Sequence, residues 1–247
     1  MPLQIQADAR VLALAFAGGG LELAAACDDG IVRYFDSTSG KLLRTTKWNA
    51  GETNAAFSAD TQTLASSGRE TMIRVWDVGT SRMLRLLGRQ GQRISALAFS
   101  RDGKLLASGG ADGTAQVWDL AEGRLKALLP DGVGESSALA FSPAGEVLVA
   151  ANSDTSIRIF QTRSFKLQRK LDHLPMATLA AAFTPDAQRL VTAGPDGFVY
   201  LWNPAGWKVV NKLDGPVELI RALAITPNGK LVASTDGGKT IQVWQFD

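Results

Sequence analysis

The sequence predicts an all-β fold that is built from six similar units, and three observations support this prediction. A short alanine-rich segment that ends in an aromatic residue, as in Ala96–Phe99 and Ala138–Phe141, recurs at intervals of 41 or 42 residues. A second aromatic residue closes a β-rich run at the same intervals. Turn residues follow one another at short, regular spacing, and no helical periodicity of useful length interrupts them. Self-similarity of this kind is typical of repeat architectures.

The two recurring anchors divide the chain into six repeats. The first anchor stands at Phe16, Phe57, Phe99, Phe141, Phe183 and Ile225, and the second stands at Phe35, Trp76, Trp118, Phe160, Trp202 and Trp244. We therefore expect one β domain over residues 1–247. Its repeats cover about residues 8–49, 50–91, 92–133, 134–175, 176–217 and 218–247, and residues 1–7 complete the last one.

Each repeat is predicted to form four short strands, as the third repeat illustrates. The pairs Asp102-Gly103 and Asp112-Gly113 are turn signals that separate its first three strands. In its third strand, small or apolar residues alternate with larger ones at the period of two that a sheet requires. The four predicted strands are Ser95–Phe99, Leu105–Ser108, Thr114–Trp118 and Leu125–Leu129.

A dipeptide at the second anchor points to a known family. It reads Trp-Asp in repeats two and three, as Trp76-Asp77 and Trp118-Asp119. In the other four repeats it is degenerate and reads Phe35-Asp36, Phe160-Gln161, Trp202-Asn203 and Trp244-Gln245. A repeat of about 42 residues that forms four strands and has this dipeptide at the end of its third strand resembles the WD-repeat family of β-propellers. The resemblance extends over essentially the whole chain. The family's Gly-His pair is nearly absent, since its slots hold Gly88-Arg89, Pro130-Asp131, Asp172-His173 and Asp214-Gly215. The resemblance implies a six-bladed propeller with four antiparallel strands per blade.

The chain ends indicate how such a ring would close. The last repeat stops at Asp247, just after its third strand, and residues 1–6 stand where other repeats place an outer strand such as Leu42–Lys47. We expect the N-terminal strand to complete the last blade, because an exchanged strand removes free sheet edges. An alternative is that the six repeats belong to a larger ring that another chain completes.

The resemblance also implies a role for the single histidine. In the family, a histidine, a hydroxyl residue on the second strand, an acid in the next turn and the third-strand Trp form a buried hydrogen-bonded relay. The fifth repeat supplies all four residues at matching positions: His173, Thr192, Asp196 and Trp202. A catalytic acid–base pair of His173 and Asp196 is the disfavoured alternative.

Composition excludes most enzyme classes. The chain has one cysteine and one histidine, which leaves almost no material for a disulfide framework, a zinc site or a Ser-His-Asp triad, so we expect no cofactor and no catalysis. The net charge of +2 is too small to indicate nucleic-acid or membrane binding.

The apolar stretch Val11–Ala26 before Cys27 loosely imitates a lipoprotein signal, but glycines interrupt it, and it aligns with a repeat strand and its turn. We expect a soluble, cytoplasmic protein with Cys27 as an incidental thiol in a turn.

The expected function is that of a protein-interaction scaffold, which the family resemblance implies. The loops that lead into each first strand and the turns between second and third strands would share one face, called here the top face. Four arginines on this face suggest a basic arc that binds an acidic or phosphorylated peptide, with Glu135 and Ser137 opposite. Three leucines suggest an apolar patch beside it. The candidate partner-binding residues are Arg10, Arg69, Arg93, Arg221, Leu12, Leu179 and Leu219.

Two alternatives remain for these residues. The arginines could be ordinary solvated charges, and the leucines could simply pack the channel mouth. Nucleic-acid binding is the second functional class, although only Trp48 and Trp207 stand outside the core aromatic slots and could stack on bases. The polar row formed by Arg33, Arg74 and Arg158 is interpreted as structural, because other repeats also place a polar residue there.

Overall fold

The computed structural model describes residues 3–88, 90–129, 134–172, 174, 177–214 and 219–245. Its strands form six four-stranded antiparallel sheets, which are the blades of a β-propeller. In blades 1 to 5 the strands follow one another in chain order from the central channel to the outer edge, and in the sixth blade the first strand of the chain lies outermost. In the described part of the chain, no helix is long and apolar enough to cross a membrane.

The strands are as follows, with each blade read from the inside outwards. The N-terminal strand is β1 (Leu3–Gln6). Blade 1 holds β2 (Val11–Ala17), β3 (Glu22–Cys27), β4 (Ile31–Asp36) and β5 (Leu42–Lys47), with a 3₁₀ turn at Gly18–Gly20. Blade 2 holds β6 (Asn54–Phe57), β7 (Thr63–Ser67), β8 (Ile73–Asp77) and β9 (Arg82–Leu87). Blade 3 holds β10 (Ile94–Phe99), β11 (Leu105–Gly110), β12 (Ala115–Asp119) and β13 (Arg124–Leu129).

The second half of the ring repeats this plan. Blade 4 holds β14 (Ser136–Phe141), β15 (Val147–Asn152), β16 (Ile157–Gln161) and β17 (Leu167–Leu171). Blade 5 holds β18 (Ala180–Phe183), β19 (Leu190–Ala193), β20 (Phe198–Asn203) and β21 (Lys208–Asp214). Blade 6 holds β22 (Ala222–Ile225), β23 (Leu231–Thr235) and β24 (Thr240–Gln245), and β1 is its outermost strand.

The ring closes through β1, as the sequence predicts. Strand β1 pairs antiparallel with β24, in a register that sets Leu3 opposite Val243 and Ile5 opposite Ile241. Ile5 then packs with buried residues of blade 1, including Leu23 and Phe35. Blades 6 and 1 therefore share an apolar interface like the others, and the six repeats form a complete ring within this chain.

The predicted second strand of blade 3 was too short at its C-terminal end. The prediction ended it at Ser108, short of the turn at 111–113, whereas β11 continues to Gly110. Gly109 and Gly110 pair with Ala96 and Ile94 of the innermost strand. A Cβ atom on Gly109 would lie 2.6 Å from Ser136 Oγ of blade 4, so this position needs glycine because a neighbouring blade approaches closely.

The core lies between the blades. Side chains alternate across each strand, so both faces of a blade meet a neighbour, and clusters of buried apolar residues fill all six interfaces. At the interface of blades 2 and 3, Ile73 and Leu87 pack against Leu106 and Trp118. Each repeat thus supplies half of two interfaces, which is why one repeat cannot form a core alone.

Candidate functional site

The innermost strands of the six blades surround a central channel of about 740 Å³. Five of the candidate partner-binding residues line it, while Arg69 and Leu219 lie off its wall. The lining candidates are Arg10, Leu12, Arg93, Leu179 and Arg221. They stand at the start of the innermost strands or in the loops that lead into them, so the propeller gathers side chains from distant repeats around one opening.

Arg221 is the most available of these cations. Its side chain is exposed and makes no hydrogen bond or ion pair with any described residue. Its aliphatic stem lies over Gly237, where a Cβ atom would come within 2.6 Å of Arg221 Cδ. Gly237 also has a positive φ of 81°, so two separate constraints favour glycine beneath this arginine. The stem of Arg221 therefore packs over the Gly237 backbone at the channel wall, and the charge of the guanidinium group has no acidic partner within the described residues.

Arg10 and Arg93 are paired with carboxylates, but at exposed positions. Arg10 Nε lies 3.4 Å from Asp28 Oδ2, and Arg93 donates to Glu135 Oε1 over 2.9 Å. The prediction that Glu135 lies opposite the basic arc is wrong, because blades 3 and 4 are neighbours and Glu135 neutralises Arg93. Exposed pairs of this kind contribute only about 0–1 kcal/mol, so a partner's carboxylate or phosphate can compete for either arginine.

Ser137 has a structural role rather than a free surface position. Its hydroxyl donates to the carbonyl of Thr178 in blade 5 over 2.6 Å, and it also contacts the carbonyl of Ala151. Ser95 makes the equivalent bond from blade 3 to the carbonyl of Ser136 in blade 4, over 2.8 Å. These hydroxyls hold neighbouring innermost strands in register and so fix the outline of the channel.

Arg69 and Leu219 differ in their accessibility. Arg69 is exposed in the turn between β7 and β8, and its side chain has no partner among the described residues. Leu219 is half-buried in the segment before β22, next to the fully buried Ile220. Arg69 can reach a ligand only if that ligand extends beyond the channel mouth.

The buried polar network of the blades rests on one recurring hydrogen bond. In four blades the indole Nε1 of the third-strand Trp donates to a second-strand hydroxyl. The pairs are Trp76 with Ser66 (2.9 Å), Trp118 with Ser108 (2.9 Å), Trp202 with Thr192 (2.9 Å) and Trp244 with Ser234 (3.3 Å). Each bond ties the second strand to the third and satisfies a buried indole N–H.

In blade 5, the acid named in the relay serves a different partner. Asp196 accepts a hydrogen bond of 2.6 Å from the hydroxyl of Tyr200, whereas Thr192 bonds to Trp202. Burial and the bond to Asp196 raise the pKa of Tyr200 to about 12. His173, the first member of the expected relay, lies outside the described residues.

A glutamine that the sequence analysis missed completes the network of blade 3. Ser108 Oγ donates to Gln90 Oε1 over 2.6 Å, so Gln90, Ser108 and Trp118 form a continuous buried chain. Gln90 immediately follows the Gly88-Arg89 pair that was compared with the family's Gly-His slot. A search for any buried hydrogen-bonding side chain near that slot, rather than for histidine alone, would have found it.

Blades 1 and 4 replace this chain with a buried arginine. In blade 4, the second strand carries Ala150 opposite Arg158, and the third-strand aromatic residue is Phe160, which has no N–H to satisfy. Arg158 is only 3% exposed and bonds to Asp154 Oδ2 over 3.1 Å and to Ser156 Oγ over 2.7 Å. A small residue on the second strand leaves room for the guanidinium group.

Blade 1 shows the same substitution pattern. Ala25 lies opposite Arg33, and two hydrogen bonds of 3.1 and 2.6 Å join the Arg33 guanidinium to Asp29. The hydrogen bond from Arg33 is the main reason that the pKa of Asp29 lies below its usual value. In blade 2, Arg74 also pairs with the acid four residues earlier, Glu70. The structural interpretation of this arginine row is therefore confirmed.

The sequence led us to expect Cys27 in a turn, and this prediction is wrong. Cys27 is the last residue of β3 and is fully buried in the interface of blades 6 and 1. Burial raises the pKa of its thiol to about 11. A neutral, covered thiol is a packing residue and not a nucleophile.

The two tryptophans that stood outside the core slots are also not free. Trp48 packs against the cluster between blades 1 and 2, and Trp207 packs against the cluster between blades 4 and 5. Both are half-buried. The prediction that they lie outside the core is therefore wrong for part of each side chain.

No group of His, Cys, Asp and Glu side chains within the described ranges could hold a metal ion.

A scan against protein families matches the model described as "WD domain, G-beta repeat" to five segments, which together cover more than half of the chain. They are residues 40–77, 82–119, 131–161, 166–203 and 207–245. Four of these segments begin at or near the outer strand of one blade and end near the close of the third strand of the next, so they join neighbouring blades. The segment 131–161 begins after the outer strand of blade 3 and covers the first three strands of blade 4. A search of curated proteins found no match. Five matched repeats on a closed six-bladed ring show that this chain belongs to the WD-repeat family of β-propellers.

Proposed function

We propose that this propeller is a non-catalytic scaffold that holds a protein or peptide partner at the top-face mouth of its channel. The observation that carries the proposal is Arg221, an exposed cation that lines the channel and has no partner among the described residues. Arg10 lies on the neighbouring blade across the ring closure and also lines the channel. Two arginines from adjacent blades therefore face the same opening.

This arrangement favours an acidic or phosphorylated segment as the ligand. A guanidinium group binds a carboxylate or a phosphate through two parallel hydrogen bonds, which are stronger than neutral ones. Arg221 is available without breaking any contact to the described residues, whereas Arg10 and Arg93 would exchange exposed acids for those of the ligand. Arg69 would contact the part of the ligand that extends beyond the channel.

Leu12 and Leu179 support a ligand that also carries an aliphatic side chain. Both are half-buried on the channel wall. Leu12 additionally packs against the cluster between blades 1 and 2, so it presents only part of its surface. A rigid rim of this kind, with a few charged groups around an apolar surface, is typical of a peptide-docking site.

A charge-reversal experiment tests the proposal. The triple variant Arg69→Glu, Arg93→Glu and Arg221→Glu is compared with wild type on an array of acidic and phosphorylated peptides. The matched control, Lys41→Glu, Lys166→Glu and Lys208→Glu, makes the same change in net charge at exposed positions outside the candidate site. We expect peptides retained by wild type and by the control to be lost by the triple variant.

Two outcomes would contradict this function. If the folded triple variant retains the same peptides as wild type, the basic arc does not bind them. If instead wild type binds oligonucleotides with an affinity that falls steeply with salt concentration, the ligand is a nucleic acid. Circular dichroism and thermal unfolding of each variant establish that it is folded.

A further inference from the structure

The sheet of blade 6 is completed differently from the other sheets. In blades 1 to 5, a short turn joins the third strand to the outer strand, whereas β1 and β24 come from opposite ends of the described chain. Their pairing covers four positions, and the paired residues Gln6 and Thr240 are 234 residues apart in the sequence. Because the entropic cost of joining two segments grows with the number of residues between them, this pairing costs more chain entropy than that of any other outer strand.

Two main-chain hydrogen bonds continue this junction beyond β1. Ala7 N donates to the carbonyl of Lys239, and Val11 N donates to the carbonyl of Gly238, over 2.8 Å each. Both carbonyls belong to the turn between β23 and β24, so this turn holds the segment that leads into blade 1. We define residues 3–11, together with residues 237–243, as the closure seam.

Arg10 and Arg221 lie on the two sides of the closure seam. Arg10 belongs to blade 1 and directly precedes Val11, whose main-chain N–H is bonded to Gly238. Arg221 belongs to blade 6, and its stem packs over Gly237. Both arginines line the channel mouth, as Gly237 does. One short turn of blade 6 therefore supports Arg221 and also holds the main chain beside Arg10.

The charges around the closure seam leave both arginines available to an anion. Arg221 has no acidic partner among the described residues. Arg10 has the exposed acid Asp28 at 3.4 Å, and an exposed pair of this kind contributes little. Asp236, the acid of the turn, accepts a hydrogen bond of 2.7 Å from Gly238 N and forms no ion pair with any described residue. An anion can thus bind Arg221 without breaking a contact and can replace Asp28 at little cost.

We propose that a carboxylate or phosphate group of the ligand bridges Arg10 and Arg221 across the closure seam, so that ligand binding and ring closure stabilise each other. This coupling rests on the proposed function, since it concerns the same channel mouth. If β1 leaves β24, blades 6 and 1 can separate, and one anion no longer contacts both guanidinium groups. A ligand that needs both groups binds only the closed ring, and such coupling is reciprocal.

Hydrogen exchange of the closure seam tests this coupling, with inorganic pyrophosphate as the probe. Its two phosphate groups can bind two guanidinium groups at once. Calorimetry measures its Kd, and mass spectrometry follows exchange in residues 3–11, with sodium chloride at equal ionic strength as the reference. At ten times the Kd, exchange in residues 3–11 should slow about tenfold, because binding to the closed state alone suppresses opening by that factor. Exchange in β9, the outer strand of blade 2, should change less than about twofold.

One pair of variants tests the role of the free cation. Arg221→Gln should abolish the slowing of exchange, because only Arg10 remains to hold the anion. The side chain of Arg221 has no partner among the described residues, so this variant should fold. The matched control, Lys208→Gln, removes an exposed positive charge from β21 and should retain the slowing.

A second pair of variants separates the closure seam from other outer strands. Ile5 lies opposite Ile241 in blade 6, and Leu87 lies opposite Ile73 at the equivalent position of blade 2. Both Ile5 and Leu87 are at most 2% exposed, so Ile5→Ala and Leu87→Ala should each speed exchange in their own strand. Pyrophosphate should slow the exchange that Ile5→Ala speeds and leave the exchange that Leu87→Ala speeds unchanged.

Three results would overturn the coupling: no detectable binding of pyrophosphate, equal slowing in β1 and β9, or slowing that Arg221→Gln retains. The peptide array distinguishes this failure from failure of the proposed function. A response of the closure seam to pyrophosphate, with no peptide retained on the array, would support the coupling and contradict the peptide-binding function. Peptides that the triple variant loses, without a response of the closure seam, would support that function and overturn the coupling.

Discussion

The buried chain formed by Gln90, Ser108 and Trp118 allows a quantitative test of how each blade is held together. Ser108 is fully buried, and its hydroxyl both donates to Gln90 and accepts from Trp118. The substitution Ser108→Ala removes one oxygen atom and changes the packing little. It leaves the indole N–H and the Gln90 carbonyl oxygen without partners, and both residues are at most 4% exposed.

The expected cost follows from the two groups that lose their partners. An unsatisfied buried polar group costs about 1–3 kcal/mol, so we expect Ser108→Ala to lower the free energy of unfolding by about 2–4 kcal/mol. In a chain of this size, 1 kcal/mol shifts the melting temperature by about 2–4 °C, so the melting temperature should fall by roughly 5–15 °C. Urea denaturation followed by tryptophan fluorescence and calorimetry would measure both quantities.

A double-mutant cycle provides the control. Ser108→Ala with Trp118→Phe puts at these two positions the residue types that blade 4 has at the equivalent positions, Ala150 on its second strand and Phe160 on its third. The double variant should be destabilised by about 1 kcal/mol less than the sum of the two single variants, because the orphaned indole N–H is gone. A cost below about 0.5 kcal/mol for Ser108→Ala, or strict additivity, would refute the reasoning.

Two further predictions concern the charged groups of the other blades. Asp154→Ala should cost about 3 kcal/mol, because it deprives the buried Arg158 of its carboxylate, while Glu70→Ala, which removes an exposed acid, should cost less than about 1 kcal/mol; equal costs in urea denaturation would contradict this. The pKa of Asp29 is held below its ordinary value of 3.8, so the stability that this group contributes is complete above pH 3.8 and is lost as the pH falls through the lower folded value. The melting temperature of Asp29→Asn should therefore fall less steeply than that of wild type below pH 3.8, and identical slopes would exclude this origin.

Much of the fold was predictable because its determinants are local. A period of 41 or 42 residues, Asp-Gly turns and short alternating runs all lie within single repeats, so they define the number of blades and the strands of each. The ring closure was predictable for the same reason, since residues 3–6 occupy the position of an outer strand. The end of β11 was missed because glycine normally indicates a turn, and only the approach of Ser136 from the next blade explains Gly109 within a strand.

The position of the candidate site could be predicted from the sequence, but the ion pairs that its arginines form could not. Regular register placed Arg10, Arg93 and Arg221 on the channel wall, and they do line it. Which of them is neutralised depends on neighbours in other strands or blades, such as Glu135 for Arg93. The burial of Trp48 and Trp207 was unpredictable on the same grounds, because both pack against clusters that two blades build together.

By itself, the sequence determined that this protein is a ring of six β-sheet blades with little material for catalysis. Strand length, turn position and repeat number depend on short-range backbone preferences, which the sequence of each repeat encodes separately. Only the tertiary structure decided which charges are free, because carboxylate partners come from other strands or other blades. Arg221 at the channel could not be distinguished from a paired arginine such as Arg93 until the blades were set side by side.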